Sequence, residues 1–232
     1  MTSREALPPT SVRDVVGFPW RDASLTTVFA AAIFLISVPV FFQAPLVRDL
    51  PGVSLVGTIV WAWLSLYLAQ QPNTRNWGSL LTGFTWTWLA GSLYWGWLRW
   101  EPLWHLPIEA IALPIALVGI QRNWCKVGQF FYLGSLLGTA VTDLYFYAVD
   151  LMPAWRDLMQ ATPEQTESIF RTAIAQMNTP WGWLWVGICG SFLLIIGLWG
   201  FRHPSLHWRA FSGAVLSTIL VDGLFWVAAL LA

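Results

Sequence analysis

Long apolar runs alternate with short polar or proline-containing breaks along most of the chain. Several of these runs reach or approach the roughly 20 residues that a helix needs to cross a ~30 Å hydrocarbon layer. The runs lack the strict alternation of a membrane β-strand, so they predict helices, which satisfy their backbone groups internally. The positions of the breaks predict seven spans, at about 25–46, 53–70, 79–98, 106–121, 128–150, 181–201 and 207–231.

Composition supports a membrane protein. Hydrophobic residues make up 56% of the 232 residues and charged residues only 10%, whereas a soluble domain carries roughly 25% charged residues. We therefore expect an all-α, polytopic transmembrane helix bundle over residues 25–232, preceded by a retained polar tail, 1–24, that is too polar for a cleavable signal peptide. The formal net charge is zero and no basic patch is present, so nucleic-acid binding is not expected.

The distribution of lysine and arginine predicts the orientation in the membrane. On a seven-span topology, eight of these residues lie on the side of the N-terminus, namely Arg4, Arg13, Arg21, Arg75, Arg122, Lys126, Arg202 and Arg209. Four lie on the opposite side, namely Arg48, Arg99, Arg156 and Arg171. The positive-inside rule then predicts a cytoplasmic N-terminus. The fourth span is short and contains Pro107 and Pro114; if it re-enters instead of crossing, every later segment changes sides.

The one sizeable loop, residues 151–180, is expected on the outer side and contains a helix-start signal. Thr162, Pro163 and Gln165 have the pattern of an N-cap hydroxyl, a proline at the first helical position and a glutamine that reaches back. Apolar residues then recur on one face, at Ile169, Phe170, Ala173, Ile174 and Met177. The pattern predicts a short amphipathic helix that lies at the membrane interface or packs its apolar stripe on neighbouring loops.

An internal repeat links the fifth and seventh spans. The segment GSLLGTAVTDLYFYAV (134–149) aligns without gaps on GAVLSTILVDGLFWVA (213–228), with five identical pairs. Among these pairs are Asp143 and Asp222, which matter because acids inside spans are costly and usually face a partner. They either bond to a neighbour such as Thr142 or Ser217 or form a functional site. The small residues of both segments predict close helix packing, and the shared direction predicts parallel repeats.

The segment 95–109 contains the densest group of ionisable residues near membrane depth. Arg99, Glu101, His105 and Glu109 lie within it. Arg99 could pair with Glu101 or Glu109, His105 could transfer a proton, and Glu109 would lie in the first turn of a helix, where a carboxylate is stabilised. The alternative is an interfacial turn with a snorkelling arginine and a capping glutamate.

Tryptophan is unusually frequent, with 18 residues in the chain. Most are expected in the aromatic belts of the membrane interfaces. Trp86 and Trp88 lie deeper and are candidates for stacking on a flat pigment. No metal site is expected, because the two cysteines are far apart and the pair His203 and His207 is separated by Pro204.

Four motifs, APLVRDLP, GSLYWGWLRWEPLWHLPIE, GTAVTDLYFY and GAVLSTILVD, resemble a cyanobacterial integral-membrane family known as domain of unknown function 3120, from about residue 25 onward. The resemblance implies a cyanobacterial thylakoid or plasma membrane and no defined activity. A more distant likeness concerns small membrane lycopene cyclases, which carry a Pro-x-Glu-Glu signature. Pro107, Ile108 and Glu109 match its first three positions, and Ala110 departs from the fourth. This likeness implies a general-acid role for Glu109.

Three functions follow as hypotheses. The favoured one is a non-catalytic factor that associates with the lipid bilayer and with a pigment, an isoprenoid or photosynthetic complexes, its cofactor undefined. The second is an isoprenoid- or carotenoid-modifying enzyme with Glu109 as general acid, tuned by His105 and Arg99. The third is a small proton- or cation-coupled transporter that uses Asp143 and Asp222. Candidate binding residues are Glu101, Asp143, Asp222, Trp86 and Trp88.

Overall fold

The computed structural model describes residues 23–231, which form helices and short connections and contain no strand. The α-helices are α1 (Leu25–Ser37), α2 (Pro39–Asp49), α3 (Pro51–Ala69), α4 (Arg75–Leu93), α5 (His105–Glu109), α6 (Leu113–Gln121), α7 (Lys126–Ala148), α8 (Met152–Gln160), α9 (Pro163–Met177), α10 (Pro180–Arg202) and α11 (Leu206–Leu231). Most of the predicted N-terminal tail lies outside the described residues.

The predicted helices are confirmed, and five of the seven predicted spans meet the length and apolarity that a membrane crossing requires. These five are Leu25–Asp49, Pro51–Ala69, Pro102–Gln121, Pro180–Arg202 and Leu206–Leu230. The chain is therefore a multi-pass membrane protein. The helices α4 and α7 have 19 and 23 residues but carry more polar side chains, so apolarity alone does not identify them as spans.

Prolines determine where several helices begin. Pro39, Pro51 and Pro180 each occupy a first helical position, where the missing N–H costs nothing and the fixed φ suits the helix. Because α2 follows α1 through the single residue Val38, Pro39 breaks the hydrogen-bond ladder of one long apolar segment without ending it.

The centre of the bundle is α7, which packs between α4, α6 and α11. Its contact with α4 depends on glycine. A β-carbon on Gly83 would overlap the backbone of Gly128, and one on Gly128 would overlap the carbonyl of Ser79. The two backbones therefore approach as closely as small residues permit. Leu80, Phe84 and Phe131 fill the core on either side of this crossing.

The two repeat segments pack directly on each other. Gly134 lies against Ala214, Gly138 against Thr218, and Thr142 against Asp222. Since the residue numbers increase together on both helices, α7 and α11 run parallel. The predicted close packing of these small residues is confirmed.

The two ends of the bundle differ in charge. The turns between α3 and α4, between α6 and α7, and between α10 and α11 lie at one end, as the contacts Thr82–Cys125 and Phe130–His207 indicate. The cations of this cationic end are Arg75, Arg122, Lys126, Arg202 and Arg209. The opposite, loop end carries α8 and α9 and the acids Asp49, Glu101, Asp150, Asp157, Glu164 and Glu167.

The predicted helix of the 151–180 loop is present as α9. Thr162 and Gln165 form the expected capping box, in which the backbone N–H of Thr162 donates to Gln165 Oε1 at 3.0 Å. The five residues of the predicted stripe are all half-buried, and Ala173 and Met177 pack against a core cluster that includes Val149. At this end of α9, the stripe packs on the bundle.

Candidate functional site

The chain leaves regular α-helix where the ionisable residues are densest. After α4 it forms a π-helical turn, Tyr94–Leu98, then a 3-10 turn, Pro102–Trp104, then α5, and then a second 3-10 turn, Ala110–Ala112. We call Tyr94–Ala112 the irregular segment. Prolines within it remove backbone donors, and Glu101 caps the first 3-10 turn by accepting from the N–H of Leu103 at 3.2 Å. Irregular backbone at membrane depth is tolerated where it is buried in protein, and π-turns are frequent at functional sites.

The central contact of the site joins this segment to α7. His105 Nδ1 lies 2.8 Å from Asp143 Oδ1. Asp143 is buried, and 12% of the His105 side chain is exposed. A carboxylate on Nδ1 orients an imidazole and leaves Nε2 for another partner. Among the described residues, Nε2 of His105 has no hydrogen-bond partner.

Aromatic rings surround the imidazole of His105. The ring centroid of Tyr94 lies 4.4 Å from that of His105, and those of Trp155 and Trp95 lie at 5.3 and 5.7 Å. The two indoles stack on each other at 5.5 Å with an interplanar angle of 6°. These rings come from the irregular segment and from α8, so two separate parts of the chain build one apolar wall around a polar pair.

Glu109 lies one helical turn beyond His105 and is also buried, with 9% exposure. Its backbone carbonyl accepts a hydrogen bond from the Tyr132 hydroxyl at 2.6 Å, which ties α5 to α7. Its carboxyl group interacts electrostatically with His105 and Asp143 and makes no hydrogen bond or ion pair within the described residues. We call His105, Glu109 and Asp143 the polar cluster.

Asp222 makes a separate contact on another face of α7. Its carboxylate accepts a hydrogen bond from Thr142 Oγ1 at 2.8 Å, and its side chain is exposed on the surface of the chain. Because consecutive residues of a helix point about 100° apart, α7 presents Asp143 to α5 and Thr142 to α11. The sequence suggested Thr142 as a hydrogen-bond partner of the acids, and in the structure Thr142 is the partner of Asp222.

The predicted pairing of Arg99 with Glu101 or Glu109 is replaced by another ion pair. Glu101 accepts a hydrogen bond from Arg156 Nη2 at 2.9 Å, and this contact lowers the pKa of the exposed Glu101 carboxyl below its usual range. The Arg99 guanidinium donates instead to the carbonyl of Trp95 at 3.3 Å. Arg99 ends the π-turn, so its side chain folds back along that turn and away from the acids.

The two deep tryptophans have different surroundings. Trp88 is buried, and its Nε1 donates to the carbonyl of Ser54 at 2.9 Å, which ties α4 to α3. Trp86 packs against Ala112 and Tyr132, and its buried Nε1 has no hydrogen-bond partner within the described residues. Of the two, Trp86 is the one near the irregular segment.

Sequence reasoning missed Tyr94, Trp155 and Arg156. Tyr94 is the first residue of the irregular segment, and Trp155 and Arg156 contact that segment from α8, which no helix signal in the sequence marked strongly. Arg156 could have been noticed as a cation in the same outer layer as Glu101. Among residues 23–231, no group of three or more histidines, cysteines or acids is arranged to hold a metal ion.

Comparison with known proteins identifies the family. The family model described as "Protein of unknown function (DUF3120)" matches residues 32–230. Because this match covers most of the 232 residues, the chain belongs to that family. No curated protein and no solved structure matches the chain. The predicted resemblance to domain 3120 is confirmed, while the cyanobacterial origin and the cyclase likeness stay predictions.

Proposed function

We propose that this member of the DUF3120 family is a non-catalytic, seven-span factor of a cyanobacterial thylakoid or plasma membrane that holds a pigment at its loop end. The observation that carries the proposal is the hydrogen bond between His105 Nδ1 and Asp143. This hydrogen bond leaves Nε2 of His105 available for another partner. The imidazole lies among aromatic rings, on a segment of irregular backbone. Each of these three features is typical of a built site rather than of plain helix packing.

The chemistry of the imidazole supports a metal-centred, flat pigment. A neutral imidazole is a common metal ligand, and a carboxylate on its second nitrogen raises its basicity and sets its orientation. His105 would hold such a pigment through Nε2, which would bind the metal ion of a tetrapyrrole, as histidine does with haem iron. Three half-exposed indoles of the same segment offer faces on which a ring system can stack, namely Trp97, Trp100 and Trp104.

The polar groups of the site support a binding role over catalysis. Asp143 is engaged with His105, Asp222 with Thr142, and Glu101 with Arg156. Two grooves of the described part of the chain, of about 490 and 280 Å³, are lined by other residues than the polar cluster. An enzyme acting on a polyene needs a concave pocket that buries most of its substrate, whereas a pigment can dock on a membrane-facing surface.

Burial considered together with hydropathy supports the proposed seven spans. At 1.5 Å per residue, the 19 residues of α4 and the 23 residues of α7 extend about 28 and 34 Å, enough to cross the ~30 Å hydrocarbon layer. Their polar side chains are turned inward, as the buried Ser79, Thr85, Ser92, Gln129 and Asp143 illustrate. Lipid therefore meets mainly the apolar faces of these two helices. The cationic end, with no described acid, is then cytoplasmic.

The test is to purify the full chain in mild detergent from a membrane that makes tetrapyrroles and carotenoids, and to record its visible absorption spectrum. The proposal expects bound pigment at a fixed ratio to protein after size-exclusion chromatography. A protein that is colourless and free of associated subunits would overturn it.

A second candidate is an isoprenoid- or carotenoid-modifying enzyme, favoured by the buried carboxyl of Glu109. This carboxyl makes no hydrogen bond within the described residues and lies beside His105, an arrangement suited to a proton donor in a dry site. Carotenoid and quinone profiles of cells that carry Glu109→Gln would test it, and unchanged profiles would exclude it. A transporter is less supported, because Asp143 and Asp222 face different helices.

A further inference from the structure

A groove on the membrane-facing side of α6 extends to the cationic end, and its lining does not include the polar cluster. Its volume is about 490 Å³. The lining is mostly apolar and consists of Pro114, Ile115, Val118, Gly119, Arg122 and Trp124. Ile115 and Val118 are half-exposed, and α6 packs mainly on α7, so one side of the helix is left open to lipid.

The shape of the groove depends on one glycine and on a strained turn. A β-carbon on Gly119 would lie 2.8 Å from the carboxamide nitrogen of Gln129, so a larger residue there would have to displace the Gln129 side chain. The backbone N–H of Trp124 donates to the carbonyl of Gly119 at 2.8 Å. The residues on either side of Trp124 are left-handed, with φ of 53° at Asn123 and 46° at Cys125, a conformation that costs energy for a residue other than glycine. The turn therefore folds back and holds the indole at the mouth of the groove.

The charge at this mouth is positive. Arg122 is exposed and forms no ion pair within residues 23–231. The other cationic side chains at this end are Arg75, Lys126, Arg202 and Arg209. The described part of the chain places no acidic side chain at this end to balance these positive charges. An anion at the membrane surface is therefore attracted to Arg122.

An apolar groove along a helix, with a cation and an indole at its interfacial end, matches one ligand class. We propose that the α6 groove binds a glycerolipid with an anionic headgroup, which meets Arg122 while an acyl chain lies along Ile115 and Val118. The Trp124 indole then sits at headgroup level, the usual position of interfacial tryptophan. A free phosphate ion would meet the cation but leave the apolar groove uncovered, which is why the ligand is a lipid.

The experiment uses the full chain in detergent micelles and native mass spectrometry, with dioleoyl phosphatidylglycerol, dioleoyl phosphatidylcholine or inorganic phosphate added separately. We expect one tightly held phosphatidylglycerol, with occupancy reduced about fivefold in Arg122→Gln, the effect of one interfacial cation. The matched control is Arg75→Gln, which removes an exposed cation from the same end without touching the groove; it retains the lipid. Val118→Trp, which fills the groove and keeps every charge, also loses it.

Three results would overturn the proposal. Equal loss in Arg122→Gln and Arg75→Gln would indicate unspecific attraction to a positive surface. Equal occupancy by phosphatidylcholine would remove the role of headgroup charge. Competition by millimolar inorganic phosphate against phosphatidylglycerol would assign the site to a free anion. Circular dichroism of each variant verifies that its helix content equals that of the unsubstituted protein.

Discussion

His105 and Asp143 lie 38 residues apart in the chain and 2.8 Å apart in the structure. The contact joins the first residue of α5 to α7, and aromatic rings around the imidazole leave 12% of the His105 side chain exposed, so water weakens the contact less than it would at a surface. A buried, charge-assisted hydrogen bond of this kind both fixes the helix positions and orients the imidazole.

The strength of this contact is measured by a double-mutant cycle. We expect His105→Gln and Asp143→Asn each to lower the free energy of unfolding, and the double variant to lose less than their sum. The coupling should be about 1–2 kcal/mol, because residues in direct polar contact couple at this level and membrane proteins lie at the low end. Unfolding in mixed micelles with dodecyl sulfate gives the free energy of unfolding of the unsubstituted chain, the two single variants and the double variant.

Asp222→Asn is the matched control for that cycle. The substitution removes the other acid of the repeat from an exposed position where a charge at membrane depth is unfavourable. The amide oxygen can still accept from Thr142. Stability should be unchanged or increased. A loss as large as that of Asp143→Asn, or a coupling of zero in the cycle, would contradict the different roles assigned to the two acids.

Gly128 tests the close approach of α4 and α7. A β-carbon there would overlap the backbone carbonyl of Ser79, so Gly128→Ala has to separate the two helices. Overpacking of this kind costs about 1–3 kcal/mol. In Gly187→Ala, by contrast, the β-carbon meets nothing within 4 Å, and the gain in helix propensity should leave stability equal or slightly higher. Thermal unfolding in detergent compares the two, and equal effects would show that the crossing is looser than described.

The ion pair of Glu101 and Arg156 predicts a pH dependence at the loop end. Since this contact lowers the pKa of Glu101 in the folded protein, its contribution is complete above the ordinary pKa of 4.5 and is lost as pH falls through the lowered value. Glu101→Gln should reproduce that loss at neutral pH and raise hydrogen exchange in α8. The matched control is Glu167→Gln, whose partner Arg171 lies on the same helix. If hydrogen exchange in α8 rises equally in Glu101→Gln and Glu167→Gln, the ion pair of Glu101 and Arg156 does not stabilise α8.

Reporter fusions test the topology with seven spans. A fusion to the tail 1–24 and an insertion in the turn 122–125 should both report the cytoplasmic side. An insertion in the loop 151–180 should report the opposite side, because α7 crosses between them. If the insertions at 122–125 and 151–180 report the same side, α7 does not cross and the proposed seven spans are wrong.

Much of the fold follows from sequence pattern, and the site follows in part. Hydropathy located the long helices, and the capping box located α9, since both signals are local. The grouping of Arg99, Glu101, His105 and Glu109 pointed to the irregular segment. Its partners on α8 could not be predicted, because Trp155 and Arg156 reach it only through the fold of a loop more than 50 residues later.

The repeat shows how a small difference in register changes roles. The alignment equates Asp143 with Asp222, which suggests two acids in one site. In the structure Asp222 contacts Thr142, which lies 80 residues earlier in the chain. This separation is one residue longer than the separation of Asp143 and Asp222, the acids that the alignment pairs. That shift of one residue turns Asp143 toward α5. Sequence symmetry therefore identified both acids but not their different surroundings.

The central claim, that His105 holds a pigment at the loop end, is tested most directly by the pigment-to-protein ratio of three proteins purified in parallel. These are the unsubstituted chain, His105→Gln, and His203→Gln, in which the replaced histidine stacks on Trp208 at the cationic end. We predict a stoichiometric ratio for the unsubstituted chain and for His203→Gln, and a loss of about tenfold in His105→Gln, with a shifted absorption band in what remains. Equal ratios in all three proteins, or no pigment in any of them, would contradict the account.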